Sequence, residues 1–382
     1  MKVAILTTDN REHHRKYEVT TPYFGTAPEA LLQGFATLPD VEVHVVTCTQ
    51  RPMLSPEKLA DNIWFHSLLA PKIGWMRTGY QGCIRAIRRK LRQIQPDVVH
   101  GQGTERECAI SAVFSGFPNV VTIHGNLAEL ARIFPPSIGS YLWLAARLEN
   151  FTLPRTHGVF CNSAYTESLT RSRAKKVWRV PNAIREEFFQ PQIKRAGGDI
   201  PVLLNIGVLC PRKRQLELLR LAGKLHARGC RFLLRFVGQS GDSSDYERQF
   251  FSEIEQARSE GYAEHAGAMG TGELIASMDT ATALVHFPNE EAFGLVVAEA
   301  LARNLKFFGS KLGGIIDISE GVEGAKLIDG DRWDSLGDAI AGWLKTGASK
   351  PQTAAAEIAS RYHPLIIAKR HLEIYREVLR QT

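Results

Sequence analysis

The chain has 382 residues, 44% of them hydrophobic and 23% charged, which is length for two domains and a composition that excludes disordered, collagen-like and coiled-coil proteins. Lys and Arg number 47 against 40 Asp and Glu, a formal charge of +7, which favours an anionic partner without naming one.

From the N-terminus, apolar runs of strand length alternate with helix-period segments, the pattern of doubly wound parallel sheets. Strands are predicted at Val3–Leu6, Val41–Val46, Asp97–His100, Val120–Ile123, Val159–Asn162 and Val177–Val180, six strands filling one sheet. Helices are predicted at Ala27–Phe35 after Gly25, at Ile84–Ile94 and at Glu105–Phe114. Over 188–200, FFQPQIKRAGGDI, Pro191 and Gly197–Gly198 break all periodicity, as a linker does. The alternation restarts with strands at Val202–Leu209, Phe232–Val237, Ala283–Phe287, Leu305–Phe308 and Ala325–Ile328. Between Pro364 and Arg380, apolar residues recur at helical spacing, with the proline where a helix begins. The expected architecture is α/β, two Rossmann-like domains at 1–190 and 191–363, with a ligand cleft between them at the carboxyl ends of the strands.

Nothing in the sequence approaches a membrane span, and MKVAILTTDN reaches Asp9 and Asn10 before a signal-peptide core develops, so a cytoplasmic protein is expected. The six cysteines form no CxxC pair, which argues against disulfide frameworks and zinc knuckles. From Lys72 to Arg92 seven basic residues occur with no acidic one, interleaved with Ile73, Trp75, Ile84, Ile87 and Leu91. A solvated helix face explains this spacing, and so does a surface for an anionic membrane or a phosphorylated acceptor. Few aromatics accompany it, so a nucleic-acid partner is not expected.

The most informative stretch is FPNEEAFGLVVAEALARN at 287–304. Glu291 and Glu299 stand eight positions apart across a strand-to-helix junction. On one helix they would lie about 12 Å apart along its axis and about 80° apart around it, too far for the ~5 Å pair of a retaining glycosidase. They therefore suit different parts of one extended ligand. Gly294 between them admits close approach of the backbone, and the N–H groups opening the next helix attract an anion. A polyhydroxylated, phosphate-bearing molecule fits such a site.

The series Glu291, Phe293, Gly294 and Glu299, spelling E-x-F-G-x-x-x-x-E, resembles the signature of family 4 glycosyltransferases, retaining enzymes of the GT-B fold. The likeness extends along the chain through Gly25, His124 in VTIHG, Asn162–Ser163, VPNAI, IGVLCPRK, VGQSG and Gly313–Gly314. It implies transfer of a sugar from a nucleotide diphosphate sugar to a hydroxyl acceptor, with no metal and no other cofactor. The resemblance gives Glu299 the ribose hydroxyls and Glu291 the donor sugar, with the backbone of Phe293, Gly294 and Leu295 along sugar and diphosphate. Met269 would lie near the base, and Lys213 would neutralise the leaving diphosphate. His124 would bind the donor at the reaction centre, and Gly25 and Thr26 would approach donor phosphate and acceptor. It also places the last helix, 364–382, back on the first domain, and the loops around Arg11–Thr26 and Lys72–Gly82 towards the acceptor.

In two places the pattern departs from the family. The arginine that usually follows the strand glycine is Val208 here, which leaves Arg212, or else Arg214, to supply a second cation. One glycine stands at Gly25 where the family commonly has two. Asp329-Gly330-Asp331 spells a DxD metal triplet but falls where the family has an acidic turn. Gly101-Gln102-Gly103 lacks the third glycine of a dinucleotide fingerprint, against a dehydrogenase. Two other functions remain compatible with the same residues, a nucleotide-sugar hydrolase or epimerase and a non-catalytic sugar-nucleotide binder.

Overall fold

The computed structural model describes residues 1–192, 200–241 and 244–381; of the expected linker, Gly197 and Gly198 lie outside these described residues. The chain divides into two compact units, Met1–Glu186 with Tyr362–Thr382, and Glu187–Arg361.

The first unit is built on an eight-stranded sheet. Its strands are β1 (Lys2–Leu6), β2 (Glu42–Thr49), β3 (Lys58–Ala60), β4 (Ile63–Leu69), β5 (Val98–Gln102), β6 (Asn119–Ile123), β7 (Gly158–Cys161) and β8 (Val177–Arg179). They run in the order β3-β4-β2-β1-β5-β6-β7-β8, parallel except for β3 against β4. The six strands expected from sequence are present, but the sheet has eight. β4, IWFHSLL, is only half buried because it lies beside the edge, so His66 and Ser67 interrupt its apolar run; β3 is three residues long.

Alternation along β1 decides the packing. Val3 and Ile5 face one layer, containing Leu31, Phe35, Leu372 and Tyr375, while Ala4 and Leu6 face the other, containing Ile84, Ile87 and Leu91. A strand covered on both faces must be apolar throughout, which is why these runs are legible. The helix Pro364–Leu379 belongs to this unit and packs on the helix Thr26–Ala36. His363 caps it by accepting from the Leu365 N–H, and Pro364 fills its first turn.

The second unit has a six-stranded, wholly parallel sheet of β9 (Val202–Ile206), β10 (Leu233–Val237), β11 (Ala263–His265), β12 (Ala283–His286), β13 (Lys306–Ser310) and β14 (Ala325–Ile328). The order is β11-β10-β9-β12-β13-β14. Five of these strands are predicted by the sequence; β11, three residues at an edge, is the addition. Strand order turns around between β9 and β12, and ligands of open α/β sheets bind beyond the carboxyl ends of the strands at such a point. In the first unit the turnaround lies between β1 and β5. No helix among the described residues is long and apolar enough to cross a membrane.

Candidate active site

The chain leaving β9 runs through Gly207–Arg214 into the helix Gln215–Ala227, and the chain leaving β12 runs through Phe287–Gly294 into the helix Leu295–Ala302. The Asn289 N–H donates to the Arg212 carbonyl at 2.9 Å, lacing the two loops together. The Lys213 ammonium then lies 2.5 Å from Glu291 Oε2, and His286 Nε2 lies 3.0 Å from the same oxygen. Burial alone would raise the Glu291 carboxyl, but the Lys213 charge and the His286 hydrogen bond hold it well below the usual carboxylate range. Burial, seconded by Lys213, lowers His286. The neutral ring donates from Nε2 to Glu291, leaving Nδ1 buried without a partner.

Arg212 donates to the Glu290 carbonyl at 3.1 Å and to its Oε2 at 3.4 Å. Glu290 is only 4% exposed, and burial raises its carboxyl against the pull of Arg212. Arg214 is committed elsewhere: it pairs with Asp331 at 2.5 Å and its guanidinium lies 4.7 Å from the Trp333 ring centre. The run Arg212–Arg214 is therefore not a solvated basic stretch, and of the two arginines only Arg212 adjoins the Lys213–Glu291 pair.

Gly294 takes a φ of 100° at the cap of the helix Leu295–Ala302, a left-handed conformation that a side chain would strain. Gly314 packs against the same segment: its N–H donates to the Glu291 carbonyl at 3.1 Å, and a Cβ there would meet Phe293 Cα at 2.5 Å. Phe293 is buried and Leu295 half-buried. Glu299, in the second turn, is 5% exposed, not the exposed helical acid that its position would otherwise suggest. Met269 is half-buried in the loop after β11, apart from the contacts just described.

In the first unit, Gly25 and Thr26 stand exposed where the helix Thr26–Ala36 begins. His124 follows β6, with Nε2 2.9 Å from Gln102 Oε1, Nδ1 buried and met by no donor in hydrogen-bond geometry, and the Asn182 amide also acting on the ring. Burial pulls this imidazole down to about 4, so it is neutral at physiological pH. Arg11 is wholly buried: it pairs with Asp9 at 2.7 Å and donates to the carbonyls of Val19, Thr20 and Leu54. That fixes the loop that follows it.

Asp331 is held by Arg214, and Asp329 lies 3.3 Å from Lys311, so the DGD triplet spends its carboxylates on separate cations. No group of three or more His, Cys, Asp or Glu among the described residues is placed to hold a metal ion. His286 and Glu290 were not anticipated from sequence. Their signals are local: a histidine closing the otherwise apolar ALVHF strand, and a second acid beside Glu291.

Two open, mostly parallel sheets in tandem are the architecture of the GT-B glycosyltransferases. Residues 29–188 match the description Glycosyltransferase Family 4, and residues 186–361 match Glycosyl transferases group 1. The chain belongs to this family of glycosyltransferases. Among solved structures it is similar to sucrose-phosphate synthase from Thermosynechococcus elongatus (17% identity, TM-score 0.73, all of both chains covered). It is also similar to HepE of Anabaena in complex with UDP-glucose (16%, 0.71, 99% of this chain and all of that one). A third is the apo lipopolysaccharide outer core galactosyltransferase WaaB (15%, 0.69, 99% and 100%). No curated protein matches the sequence.

Proposed function

We propose that this enzyme transfers a sugar from a nucleotide diphosphate sugar to a hydroxyl acceptor with retention of configuration and without a metal ion. The observation that carries the donor assignment is the Lys213–Glu291–His286 contact at the carboxyl ends of β9 and β12. A cation, a carboxylate held ionised and the opening turn of a helix meet there, as a departing diphosphate and a hydroxylated sugar require. Lys213, with Arg212 beside it, neutralises the diphosphate; Glu291 holds donor-sugar hydroxyls; Glu299 takes the ribose. The backbone of Phe293, Gly294 and Leu295 lines sugar and diphosphate, and Met269 lies by the base. His124, Gly25 and Thr26 contact the transferred sugar, the donor phosphate and the acceptor. HepE, solved with UDP-glucose, supports a nucleotide-sugar donor, and a uridine nucleotide is the first to try. Both family matches are to transferases, which does not favour a hydrolase, an epimerase or a non-catalytic binder.

The acceptor side includes a surface for an anionic membrane. Arg85, Arg88, Arg89 and Arg92 form one exposed stripe on the helix Gln81–Ile94, whose apolar side is buried. None of the four is ion-paired among the described residues, and Ile73 nearby in sequence is 79% exposed. With this reading goes a cytoplasmic enzyme, peripheral to the inner face of the membrane.

The test is an assay of nucleoside diphosphate release from a panel of donor sugars, in excess EDTA, with and without hydroxyl acceptors. The expected result is slow donor hydrolysis alone, faster release with an acceptor, and a product whose anomeric proton coupling matches the donor's. Inverted configuration, or activity lost to EDTA and restored by magnesium or manganese, contradicts the proposal.

A further inference from the structure

The tripeptide Gly101-Gln102-Gly103, which the dinucleotide fingerprint leaves unexplained, sits at the end of β5 beside the strand that carries His124. Gln102 is 6% exposed. Its side-chain oxygen lies 2.9 Å from His124 Nε2. Its amide nitrogen faces the His100 ring, 3.4 Å from Nδ1 and 3.3 Å from Nε2. His100 is itself pinned, with Nδ1 2.5 Å from the Tyr375 hydroxyl and Nε2 2.7 Å from Thr122 Oγ1. The Gln102 amide therefore spans two imidazoles, nitrogen towards one and oxygen towards the other.

Orientation matters because an amide oxygen can only accept. A neutral imidazole carries one N–H, and the nitrogen without it is an acceptor. With Oε1 facing it, His124 Nε2 must carry the proton. Nδ1 is then a buried lone pair that no protein donor meets in hydrogen-bond geometry, with the Asn182 amide the other side chain that bears on the ring. An unmatched buried acceptor is costly to maintain, and a hydroxyl donor from a ligand would satisfy it.

We propose that Gln102 is a positioning residue that locks His124 in the Nε2–H tautomer and so presents Nδ1 as an acceptor for a hydroxyl of the transferred sugar. The second half rests on the assignment of His124 to the donor sugar made above. Histidine tautomers are commonly set by a partner on the far nitrogen. Here that partner is a neutral amide, which orients the ring without placing a charge beside the sugar. The surroundings keep the ring neutral. Its polar neighbours are Gln102 and Asn182, with His100 and His371 also close, and burial is the dominant influence on its protonation. An acid, Glu105, lies across Gly103, where a Cβ would lie 2.1 Å from Glu105 Oε2 and 3.6 Å from the His124 ring.

The experiment is long-range ¹H–¹⁵N correlation NMR of histidine-labelled full-length enzyme, with His124 assigned by comparison with His124→Ala. Wild type should show the pattern of a protonated Nε2 and a bare Nδ1 at pH 7. Gln102→Leu, which keeps the bulk and removes the acceptor, should lose that pattern, while Gln102→Glu, which restores an acceptor oxygen, should keep it. A wild-type spectrum with the proton on Nδ1, as an overturned Gln102 amide would give, overturns the proposal, and so does an unchanged spectrum in Gln102→Leu. Wild type alone decides the first point even if the leucine variant does not fold. In transfer assays Gln102→Leu should lose roughly tenfold in kcat with KM for the donor little changed, and Gln102→Glu should recover most of it. A tautomer that shifts as expected while kcat and KM stay the same supports the lock and overturns the assignment of His124 to the donor sugar, which separates the two failures.

Discussion

Lys213 and Glu291 neutralise each other across 2.5 Å. The two come from loops 78 positions apart, brought together because β9 and β12 are adjacent. The pair is three-quarters or more shielded from solvent, with side chains 15% and 13% exposed. On the proposed reading, a diphosphate arriving at Lys213 must compete with the Glu291 carboxylate, and a sugar hydroxyl takes the oxygen that Lys213 vacates. Binding then exchanges one set of charge-assisted contacts for another.

That exchange predicts opposite behaviour for the two motif acids. Removing Glu291 frees Lys213, so Glu291→Ala should bind nucleoside diphosphate as well as wild type or better while kcat falls. Glu299→Ala should weaken nucleoside diphosphate binding roughly 10- to 100-fold, as loss of a hydrogen bond to a charged group does. Calorimetric titration beside steady-state kinetics separates them; wild-type values for both variants would remove the assignment.

A second prediction concerns Arg212 and Val208. With Arg214 tied to Asp331 and Trp333, Arg212 is the cation left to share the diphosphate with Lys213. Losing one such contact should cost on the order of 2–4 kcal/mol in the barrier, roughly 30- to 1,000-fold in rate. Arg212→Ala should be damaged nearly as badly as Lys213→Ala. Val208 is 59% exposed, so arginine fits there, and Val208→Arg in the Arg212→Ala background should recover part of the loss. Wild-type turnover by Arg212→Ala would leave Lys213 as a single-cation site.

Stability should depend on pH through Glu107. This carboxyl is 1% exposed, its Oε2 has no partner, and burial pushes it up to about 7, with Glu12 adding to the rise and Arg106 opposing it. The folded form thus holds a proton that the unfolded chain, titrating near 4.5, gives up earlier. Where the native state binds more protons, stability falls as pH rises. The loss should run between about pH 4.5 and 7 and amount to on the order of 1–3 kcal/mol at pH 8. Glu107→Gln should raise the thermal midpoint at pH 8, with the gap closing by pH 4.5. A gap independent of pH would contradict the account.

The arginine stripe predicts binding to vesicles. Each cation near an anionic surface contributes about 1 kcal/mol, so the protein should co-sediment with phosphatidylglycerol-containing vesicles at low salt and not with phosphatidylcholine alone. Replacing Arg85, Arg88, Arg89 and Arg92 by glutamate should abolish co-sedimentation. Binding that survives the fourfold change would sink this surface.

What the sequence made legible is what lies contiguous in it. The Glu291-to-Glu299 series sits in nine consecutive residues, so its chemistry is readable without tertiary structure. Strands buried on both faces announce themselves as continuous apolar runs, and β4, half-buried with His66 and Ser67, does not. Long-range contacts were out of reach. Buried Glu149 accepts from Thr104 Oγ1 and the Leu127 N–H and pairs with Arg173, four positions in separate elements whose meeting no spacing announces. The Gln102 contact has no local signal, because its partner His124 stands 22 residues later at the neighbouring strand's end. The fates of Arg212 and Arg214, adjacent and alike in sequence, are set by Glu290 and Asp331 from elsewhere in the chain.

The central claim is that the second unit holds a nucleoside diphosphate through Lys213 and Glu299. Thermal unfolding of the full-length protein with uridine, guanosine and adenosine diphosphates tests it most directly, since a ligand at 100 times its dissociation constant stabilises by about 2.7 kcal/mol. One of the three should raise the midpoint by several degrees in wild type and by little in Lys213→Ala and Glu299→Ala. No shift with any of them, or an equal shift in both variants, would contradict it.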